Sequence, residues 1–367
     1  MPPPPQPSGI DDAVPASVED ALASYLDGRR AELVERAPAV ADAVDALSGF
    51  VLGGGKRIRP TFAWWGWRGA GGAADGERAR AVLRAVSSLE LLQACALVHD
   101  DLMDASAVRR GSPTVHVAFA ETHRAKGWLG EPDRFGMAVA ILVGDLALAW
   151  SEDMFTGCGL AFDALHRGRE AWQAMRAEVL AGQYLDVLVQ ATGDESAAAA
   201  LAVARMKTAA YTVERPLHLG AALAGAAPET IAEVRRFGAD VGVAFQLRDD
   251  LLGVFGDTRT TGKPAGDDLR EGKRTLLVAL GLELAERDGR PADAEMLRTS
   301  LGDPRLDAES IDRIRAVLLD VGAVAAVEQR IEALTESAVA ALAQARLAEP
   351  AASRLAGLAV AATSRDR

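Results

Sequence analysis

The longest stretch without a helix-breaking residue is the feature that most constrains the fold of this chain. Residues 77–110 contain neither Gly nor Pro, and their apolar side chains recur at the three- and four-residue spacing of an α-helix. Gly111 and Pro113 follow directly and are typical of a helix end. The pattern therefore predicts one long helix over 77–110, which ends just past the acidic run at 100–104.

Three aspartates stand near the end of this helix. Because residues four apart share a helix face, Asp100 and Asp104 should point the same way, with Asp101 beside them. Burying such charges unpaired would cost several kcal/mol, so a hard cation or basic side chains should neutralise them. Oxygen ligands suit Mg²⁺, which binds one or two carboxylates together with substrate phosphates. A solvated acidic face paired with Arg109 and Arg110 is the alternative, but the apolar residues before the run favour the mouth of a pocket.

Most of the remaining chain also has a helical pattern. Few stretches alternate β-branched residues, so we expect an all-α bundle in a single domain over 18–367. Residues 1–17 begin with a run of prolines and should form a disordered tail. Besides 77–110, the expected helices cover 18–47, 59–69, 137–155, 167–191, 194–226, 228–255, 273–287, 308–320 and 322–347.

Charge and cysteine content argue against several classes of protein. A net charge of −12 and a pI near 5.0 disfavour a nucleic-acid partner and constitutive binding to an anionic membrane. Cys95 and Cys158 provide neither a disulfide framework nor a metal-binding spacing, which fits a reducing, cytoplasmic location. No apolar run reaches the length of a membrane span, since the best one, 137–150, is interrupted by Asp145.

A basic loop precedes the helix expected at 59–69. Its three glycines, 53–55, are followed by Lys56, Arg57 and Arg59, an arrangement in which backbone and side chains can converge on a phosphate. Taken alone, the segment is also compatible with a structural turn that opens a helix.

A second acidic helix end resembles the first. Asp249 and Asp250 follow an apolar stretch and precede a loop that carries several bases, 262–275. Two such ends facing each other across a bundle would enclose a central cavity with carboxylates on opposite walls. Helix bundles build metal sites in this way.

Together these segments resemble the trans-type isoprenyl diphosphate synthases, also called polyprenyl synthetases, and in particular bacterial geranylgeranyl diphosphate synthases. The resemblance covers nearly the whole chain from about residue 40, and the motifs occur in the family's order. The matching motifs are GGKRIRP at 54–60, DDLMD at 100–104 with RRG at 109–111, GQYLD at 182–186, KT at 207–208, FQLRDD at 245–250 and GKPAGDDLREGK at 262–273.

The resemblance implies the isoprenoid synthase type I fold and a head-to-tail prenyl transfer. Isopentenyl diphosphate would condense with dimethylallyl, geranyl or farnesyl diphosphate, assisted by about three Mg²⁺ ions. The implied catalytic residues are Asp100, Asp101, Asp104, Lys207, Asp249 and Asp250, of which Asp100, Asp104 and Asp249 would bind metal. The implied allylic diphosphate contacts are Arg109, Lys207, Thr208, Gln246, Lys263 and Lys273. The implied isopentenyl diphosphate contacts are Lys56, Arg59, Gln93 and Arg110.

This chemistry needs no side-chain nucleophile. Metal ions with Lys and Arg side chains stabilise the charge that develops on the leaving diphosphate, and the double bond of isopentenyl diphosphate attacks the allylic cation. The sequence accordingly shows no convincing catalytic Ser/His/Asp or Cys/His arrangement. We expect His99, although it neighbours Asp100, to have a structural role.

Two positions depart from the family pattern. Gly253 stands where many relatives have the fifth-position Asp of the second motif. The third metal site should therefore have fewer carboxylate ligands, with Asp257 at best a substitute. Gln93 stands where many relatives have His, but Gln still donates a hydrogen bond, so binding of isopentenyl diphosphate should survive.

The helix before the first motif bears on product length. A growing prenyl chain should run back from Asp100 past Ala96 and Cys95, then Leu92, then Ser88 and Leu89. Short-chain relatives have an aromatic side chain at the first of these positions. Because Cys95 and Ala96 are small and Leu92 is bulky, we expect a product of about twenty carbons, geranylgeranyl diphosphate.

The helix expected at 137–155 is apolar over more than one face, which predicts a homodimer, as in the family.

Two other functions remain open. A class I terpene cyclase shares the all-α fold and the aspartate-rich motifs, but needs neither the GGKRIRP segment nor Arg110. A non-catalytic regulatory subunit of a prenyl synthase could lose its metal-binding aspartates, which this chain retains.

Overall fold

The protein is described by a computed structural model that covers residues 9–256 and 266–363. Its helices in the first part of the chain are α1 (Val14–Arg36), α2 (Ala41–Leu52), α3 (Ile58–Gly69), α4 (Gly76–Met103), α5 (Val115–Lys126), α6 (Pro132–Thr156) and α7 (Phe162–Thr192). They continue with α8 (Ala197–Val203), a π-helix (Ala204–Glu214), α9 (Arg215–Ala224) and α10 (Pro228–Phe255). The last described helices are Asp267–Arg270, Leu276–Arg287, Pro291–Ser300, Ala308–Asp320, Ala323–Ala345 and Ala351–Thr363.

The all-α prediction is confirmed over the described ranges. Their single sheet is a two-residue antiparallel pair, Val108–Arg109 with Ser112–Pro113. Two short 3-10 helices, Ile10–Asp12 and Pro38–Val40, complete the regular structure.

Several helix boundaries differ from the prediction. The first helix begins at Val14, inside the segment expected to be a tail, and residues 1–8 of that tail lie outside the described residues. The helix expected at 18–47 is interrupted at Ala37, because the residue before a proline disfavours helical backbone angles. The helix expected at 194–226 is divided by the π-helix, for which the sequence carries no signature.

The end of α4 is the correction that matters most for the site. The helix stops at Met103, seven residues before the predicted end at Arg110. Ala105 takes the left-handed conformation, with φ of 51°. Its N–H donates to the carbonyl of Leu102, and the N–H of Ser106 donates to the carbonyl of Asp101. These two bonds form a Schellman motif with Ala in the place usually held by Gly, so the sequence gives no glycine signal.

Contacts within the chain divide the described residues between two compact units. The first unit consists of the described residues within Met1–Gln173, Pro216–Ile231 and Leu347–Ala351. The second unit consists of the described residues within Ala174–Arg215, Ala232–Arg346 and Ala352–Arg367.

Helix α4 is the core helix of the first unit, where it packs against α1, α3 and α6. Small residues bring the backbones of this unit together. A Cβ atom at Gly220 would lie 1.8 Å from the carbonyl oxygen of Ala63, so only glycine fits between α9 and α3. The side chains of Trp64 and Trp67 on α3 are fully buried.

The second unit has its own hydrophobic core. Leu247 and Leu251 on α10 pack with side chains of the helices Leu276–Arg287, Ala308–Asp320 and Ala323–Ala345. Among them Leu277, Leu318 and Val327 are fully buried, as the helical apolar spacing of those segments predicts.

Two helices, α4 and α6, are long and apolar enough to cross a membrane by length and composition alone. The sequence interpretation found no run of that length, because it treated Asp145 as an interruption. In α4, 78% of the most apolar window is buried inside the protein, as in a core helix, whereas in α6 the figure is 39%.

The left-handed conformation of Ala105 should lower the free energy of unfolding of the protein. Ala105→Gly should stabilise the protein by about 0.5–1 kcal/mol, because the left-handed strain of about 1–2 kcal/mol exceeds the entropic cost of glycine. The reverse change, Gly127→Ala at the left-handed residue that ends α5, should destabilise it by a similar amount. Chemical denaturation of both variants measures these differences, and an Ala105→Gly protein less stable than wild type would contradict the motif.

Candidate active site

The first acidic motif combines a buried ion pair with two more accessible aspartates. Asp101 is 1% exposed, and Arg109 Nε donates to both of its carboxylate oxygens, at 2.7 and 2.8 Å. Arg109 Nη2 also lies 3.5 Å from Asp100. Asp104 keeps helical backbone angles, and its N–H donates to the carbonyl of Asp100 at 2.8 Å. The expected shared face of Asp100 and Asp104 is therefore retained, while Asp101 orients Arg109.

The side chain of Arg110 contacts the basic loop, whereas that of Arg109 pairs with Asp101. Its Nη1 donates to the carbonyl oxygen of Gly54 at 2.7 Å, so it contacts the basic loop. Within that loop Lys56 is exposed and Arg59 is half-buried, whereas Arg57 is buried. The structure therefore brings three of the predicted isopentenyl diphosphate contacts to one loop, and Gln93 is half-buried on α4.

Neither His99 nor Cys95 is available as a catalytic base or nucleophile. His99 Nε2 lies 3.1 Å from the carbonyl oxygen of Ile141 and packs against α6, where a Cβ atom at Gly144 would collide with the ring. Burial raises the pKa of the Cys95 thiol to about 11, and the charge of Asp145 raises it further. The thiol therefore remains protonated at neutral pH, and the geometry favours the structural role expected for His99.

The product-length residues on α4 differ in exposure. Cys95 and Leu92 are buried, and Cys95 Sγ lies 3.8 Å from His99 Nδ1, on the side of α4 that packs on α6. Ala96 is half-buried, one turn before Asp100 on the same face. A prenyl chain running back from Asp100 along this face would therefore pass Ala96 first, with Cys95 to one side.

Lys207 lies on the π-helix, a rare form that occurs frequently at functional sites. Its Nζ lies 2.5 Å from Asp186 Oδ2 on α7. Gly182 allows this approach, since a Cβ atom there would lie 2.3 Å from the backbone nitrogen of Lys207. Thr208 follows on the same segment and is half-buried. Asp186 was not among the predicted site residues, although the GQYLD motif contains it.

The second acidic motif contains one deeply buried carboxyl group. Gln246 Nε2 donates to Asp250 Oδ1 at 2.6 Å, so this predicted diphosphate contact binds an aspartate here. Burial raises the pKa of Asp250 to about 8; the bond from Gln246 lowers it, and the charges of Asp268 and Asp249 raise it. Asp249, which precedes it, is half-buried. At neutral pH the Asp250 carboxyl is therefore mainly protonated when no cation is bound.

Gly253, the departure in this motif, is explained by a contact with Asp268. A Cβ atom at Gly253 would lie 1.9 Å from Asp268 Oδ2, so the carboxylate of Asp268 occupies the space next to the missing side chain. Lys273 Nζ lies 3.4 Å from Asp268 Oδ1 and 2.6 Å from Glu271. Sequence reasoning missed Asp268, because only the folded chain brings it beside Gly253. The substitute suggested for Gly253, Asp257, and the predicted contact Lys263 lie outside the described residues.

The carboxylates suit a cation that is bound together with a substrate. Within residues 9–256 and 266–363, no three His, Cys, Asp or Glu side chains lie close enough to hold a metal ion by themselves. In each unit the available donors are oxygen atoms with a base beside them, Arg109 at Asp101 in the first unit and Lys207 at Asp186 in the second. This set fits Mg²⁺, which takes one or two carboxylates, substrate phosphates and water.

The pKa of Asp250 makes a prediction for stability. The folded state holds the proton up to about pH 8, whereas the unfolded chain releases it near the ordinary value of 3.8. Wild-type stability should therefore fall as the pH rises through this window. In Mg²⁺-free buffer the Tm of Asp250→Asn, which keeps the oxygen that accepts from Gln246, should rise relative to wild type between pH 5 and pH 8. A Tm difference that is constant with pH would contradict the buried, protonated carboxyl.

Comparisons with known proteins agree with this arrangement. The model of the polyprenyl synthetase family matches residues 42–318. Geranylfarnesyl diphosphate synthase from Aeropyrum pernix is 33% identical over 301 residues, which cover 80% of this chain and 86% of that protein. Geranylgeranyl diphosphate synthase from Sulfolobus acidocaldarius is 31% identical over 310 residues, which cover 83% of each.

A solved structure gives the same result. Geranylgeranyl pyrophosphate synthase from Corynebacterium glutamicum, complexed with isoprenyl diphosphate and magnesium, has a TM-score of 0.92 and 47% sequence identity to this chain. The comparison covers 96% of this chain and 98% of that one. The order of motifs, the helical fold and these matches lead to one conclusion: the chain belongs to the polyprenyl synthetase family and is a prenyl diphosphate synthase.

Proposed function

We propose that this synthase condenses isopentenyl diphosphate with an allylic diphosphate and that its main product is geranylgeranyl diphosphate. The proposal rests on one observation: the side chains of two adjacent arginines bind different groups. Arg109 pairs with the acidic motif, and Arg110 contacts the basic loop at Gly54. Two neighbouring groups that can each hold a diphosphate suit a two-substrate transferase, whereas a terpene cyclase needs only one.

In this proposal each group has a separate task. Asp100, Asp104 and Asp249 hold the Mg²⁺ ions, about three by analogy with the family, and Asp101 and Asp250 support them. The allylic diphosphate is contacted by Arg109, Lys207, Thr208, Gln246, Lys263 and Lys273. Isopentenyl diphosphate is contacted by Lys56, Arg59, Gln93 and Arg110.

The reaction then needs mainly electrostatic assistance. The allylic C–O bond breaks, its electron pair leaves with the diphosphate, and the bound metal supplies Lewis-acid stabilisation of that charge. In this proposal Arg109 and Lys207 also stabilise that charge, and each is already held by a carboxylate, Asp101 and Asp186 respectively. The π electrons of isopentenyl diphosphate form the new C–C bond, and the released diphosphate accepts the proton that restores the double bond.

The product length depends on α4. The relatives include synthases of geranylgeranyl and of geranylfarnesyl diphosphate, so family membership alone does not set the length. Ala96 leaves the path beside Asp100 open, and Leu92, buried two turns before Asp100, provides bulk. This arrangement supports a stop near twenty carbons, about two helical turns from the motif.

The proposal is tested by incubating the protein with Mg²⁺, isopentenyl diphosphate and each allylic diphosphate in turn, with the product length read by mass spectrometry. Wild type should make the twenty-carbon diphosphate. Ala96→Phe should shorten it to fifteen carbons, because the ring blocks the path one turn from Asp100, while Cys95→Ser should leave it unchanged. Hydrocarbon formed from allylic substrate alone would favour a cyclase, and no turnover would favour a non-catalytic subunit. A twenty-carbon product from Ala96→Phe would reject the path.

We also propose that the enzyme is a cytoplasmic homodimer that pairs through α6. Met137, Ile141 and Leu142 form an apolar patch on this helix, and Leu142 is 65% exposed. An exposed apolar patch of this kind is typical of an interface.

The dimer makes a prediction for oligomeric state. Leu142→Asp should convert the protein from dimer to monomer in light-scattering measurements, because it buries a charge in the interface. Leu319→Asp changes an exposed leucine elsewhere on the chain and should leave the dimer intact. A monomeric wild type, or a dimeric Leu142→Asp variant, would contradict the proposed face.

A further inference from the structure

We propose that a buried ion pair, Arg57 with Glu90, positions the basic loop and so controls the binding of isopentenyl diphosphate. The inference rests on the proposed function, because it takes Lys56, Arg59 and Arg110 as the groups that bind this substrate. It assigns Arg57, the central base of the GGKRIRP motif, to the interior of the protein.

The side chain of Arg57 is buried against α4. It is 3% exposed, and its Nη1 donates to Glu90 Oε2 at 3.0 Å; Glu90 itself is 8% exposed. Nη2 lies 3.5 Å from Glu19 on α1, and neither Nε nor Nη2 makes a hydrogen bond. A buried guanidinium with so few hydrogen bonds should add little to the free energy of unfolding, because the cost of desolvation offsets much of the attraction to Glu90.

The backbone of Arg57 supports a positioning role. Its φ is 50°, in the left-handed region where glycine is favoured, although the glycines of this loop stand at 53–55, before Lys56. Its carbonyl oxygen accepts the first hydrogen bonds of α3, from the N–H and the hydroxyl of Thr61. An arginine tolerated in this conformation indicates that the side chain contributes something that glycine would not.

The pair joins the elements that carry the proposed substrate contacts. Glu90 lies one turn before Gln93 on α4, on the same face of the helix. Arg110 also contacts this loop at the carbonyl oxygen of Gly54, and a Cβ atom at Gly55 would lie 3.5 Å from both Arg110 and Arg57. The loop is thus held from the α4 side by Arg57 and from the strand pair by Arg110.

Several cationic side chains lie close together around this loop. Burial lowers the pKa of the Arg110 guanidinium, and the charges of Arg109 and Arg57 lower it further, whereas Glu90 raises it. Several cations are therefore concentrated around one loop, and Glu90 provides a buried compensating charge. Neutralising Glu90 should let Arg57 and the loop move apart from α4, which displaces Lys56 and Arg59 from their positions.

The experiment compares steady-state kinetics of wild type with Glu90→Gln, which removes the charge but keeps the shape. The KM for isopentenyl diphosphate should rise by between about 10-fold and 100-fold, the usual effect of a small misplacement of a binding group. The KM for the allylic substrate should remain within about twofold, since Asp101 and Arg109 are untouched. Calorimetric titration with isopentenyl diphosphate alone, without Mg²⁺, should show the same loss of affinity.

Two further variants separate positioning from folding. Arg57→Met combined with Glu90→Leu removes both charges without leaving one buried and unpaired, a replacement that is often neutral for stability. It should unfold near the wild-type temperature yet show the raised KM for isopentenyl diphosphate. Asp11→Asn, which removes the charge of the Arg68–Asp11 pair on the same unit, is the matched control and should leave both KM values unchanged.

The outcomes distinguish the inference from the proposed function. A wild type that forms no prenyl product would reject the proposed function itself. If wild type is active and the folded Glu90→Gln and double variants keep the wild-type KM for isopentenyl diphosphate, the positioning role is wrong. A rise in both KM values together would also overturn it, because it would show a general loss of structure.

Discussion

The neutralisation of charge within an apolar helix is the constraint on which the first unit depends. Helix α4 is mostly buried, yet it carries Glu90 and Asp101, which are almost completely removed from water. Each is paired with an arginine from a loop, Glu90 with Arg57 and Asp101 with Arg109. Because an unpaired buried charge is expensive, these pairs fix both loops relative to the helix. The bases proposed to contact a diphosphate are thereby held in place without substrate, as preorganised electrostatic catalysis requires.

In the second unit, buried or half-buried charges are neutralised either by an ion pair or by protonation. Lys207 is held by Asp186, and the close approach of α7 to the π-helix depends on Gly182. Asp250 is kept neutral by burial instead of by a paired base, which raises its pKa to about 8. A bound cation would favour its ionised form, so metal binding and proton release should be coupled at this carboxyl.

Sequence reasoning identified the helices and both acidic motifs, because the absence of Gly and Pro and the helical apolar spacing are local signals. It placed the end of α4 seven residues too late, since Ala105 adopts a left-handed conformation that usually requires glycine. It left the role of Arg57 unassigned, because its partner Glu90 is 33 residues away. The space that Asp268 fills beside Gly253 was invisible for the same reason. Local patterns therefore predicted the helical fold and the positions of the motifs, whereas tertiary contacts decide how several of their side chains are paired.

The most direct test of metal-dependent diphosphate binding is to titrate the protein with a non-cleavable allylic thiolodiphosphate in the presence and absence of Mg²⁺. Calorimetry should show tight binding to wild type only when Mg²⁺ is present, because the carboxylates near Arg109 repel the anion without it. Asp100→Asn should lose most of this Mg²⁺-dependent affinity while retaining the wild-type unfolding temperature. Equal binding with and without Mg²⁺, or unchanged Mg²⁺-dependent binding by Asp100→Asn, would show that this motif does not bind the diphosphate through metal.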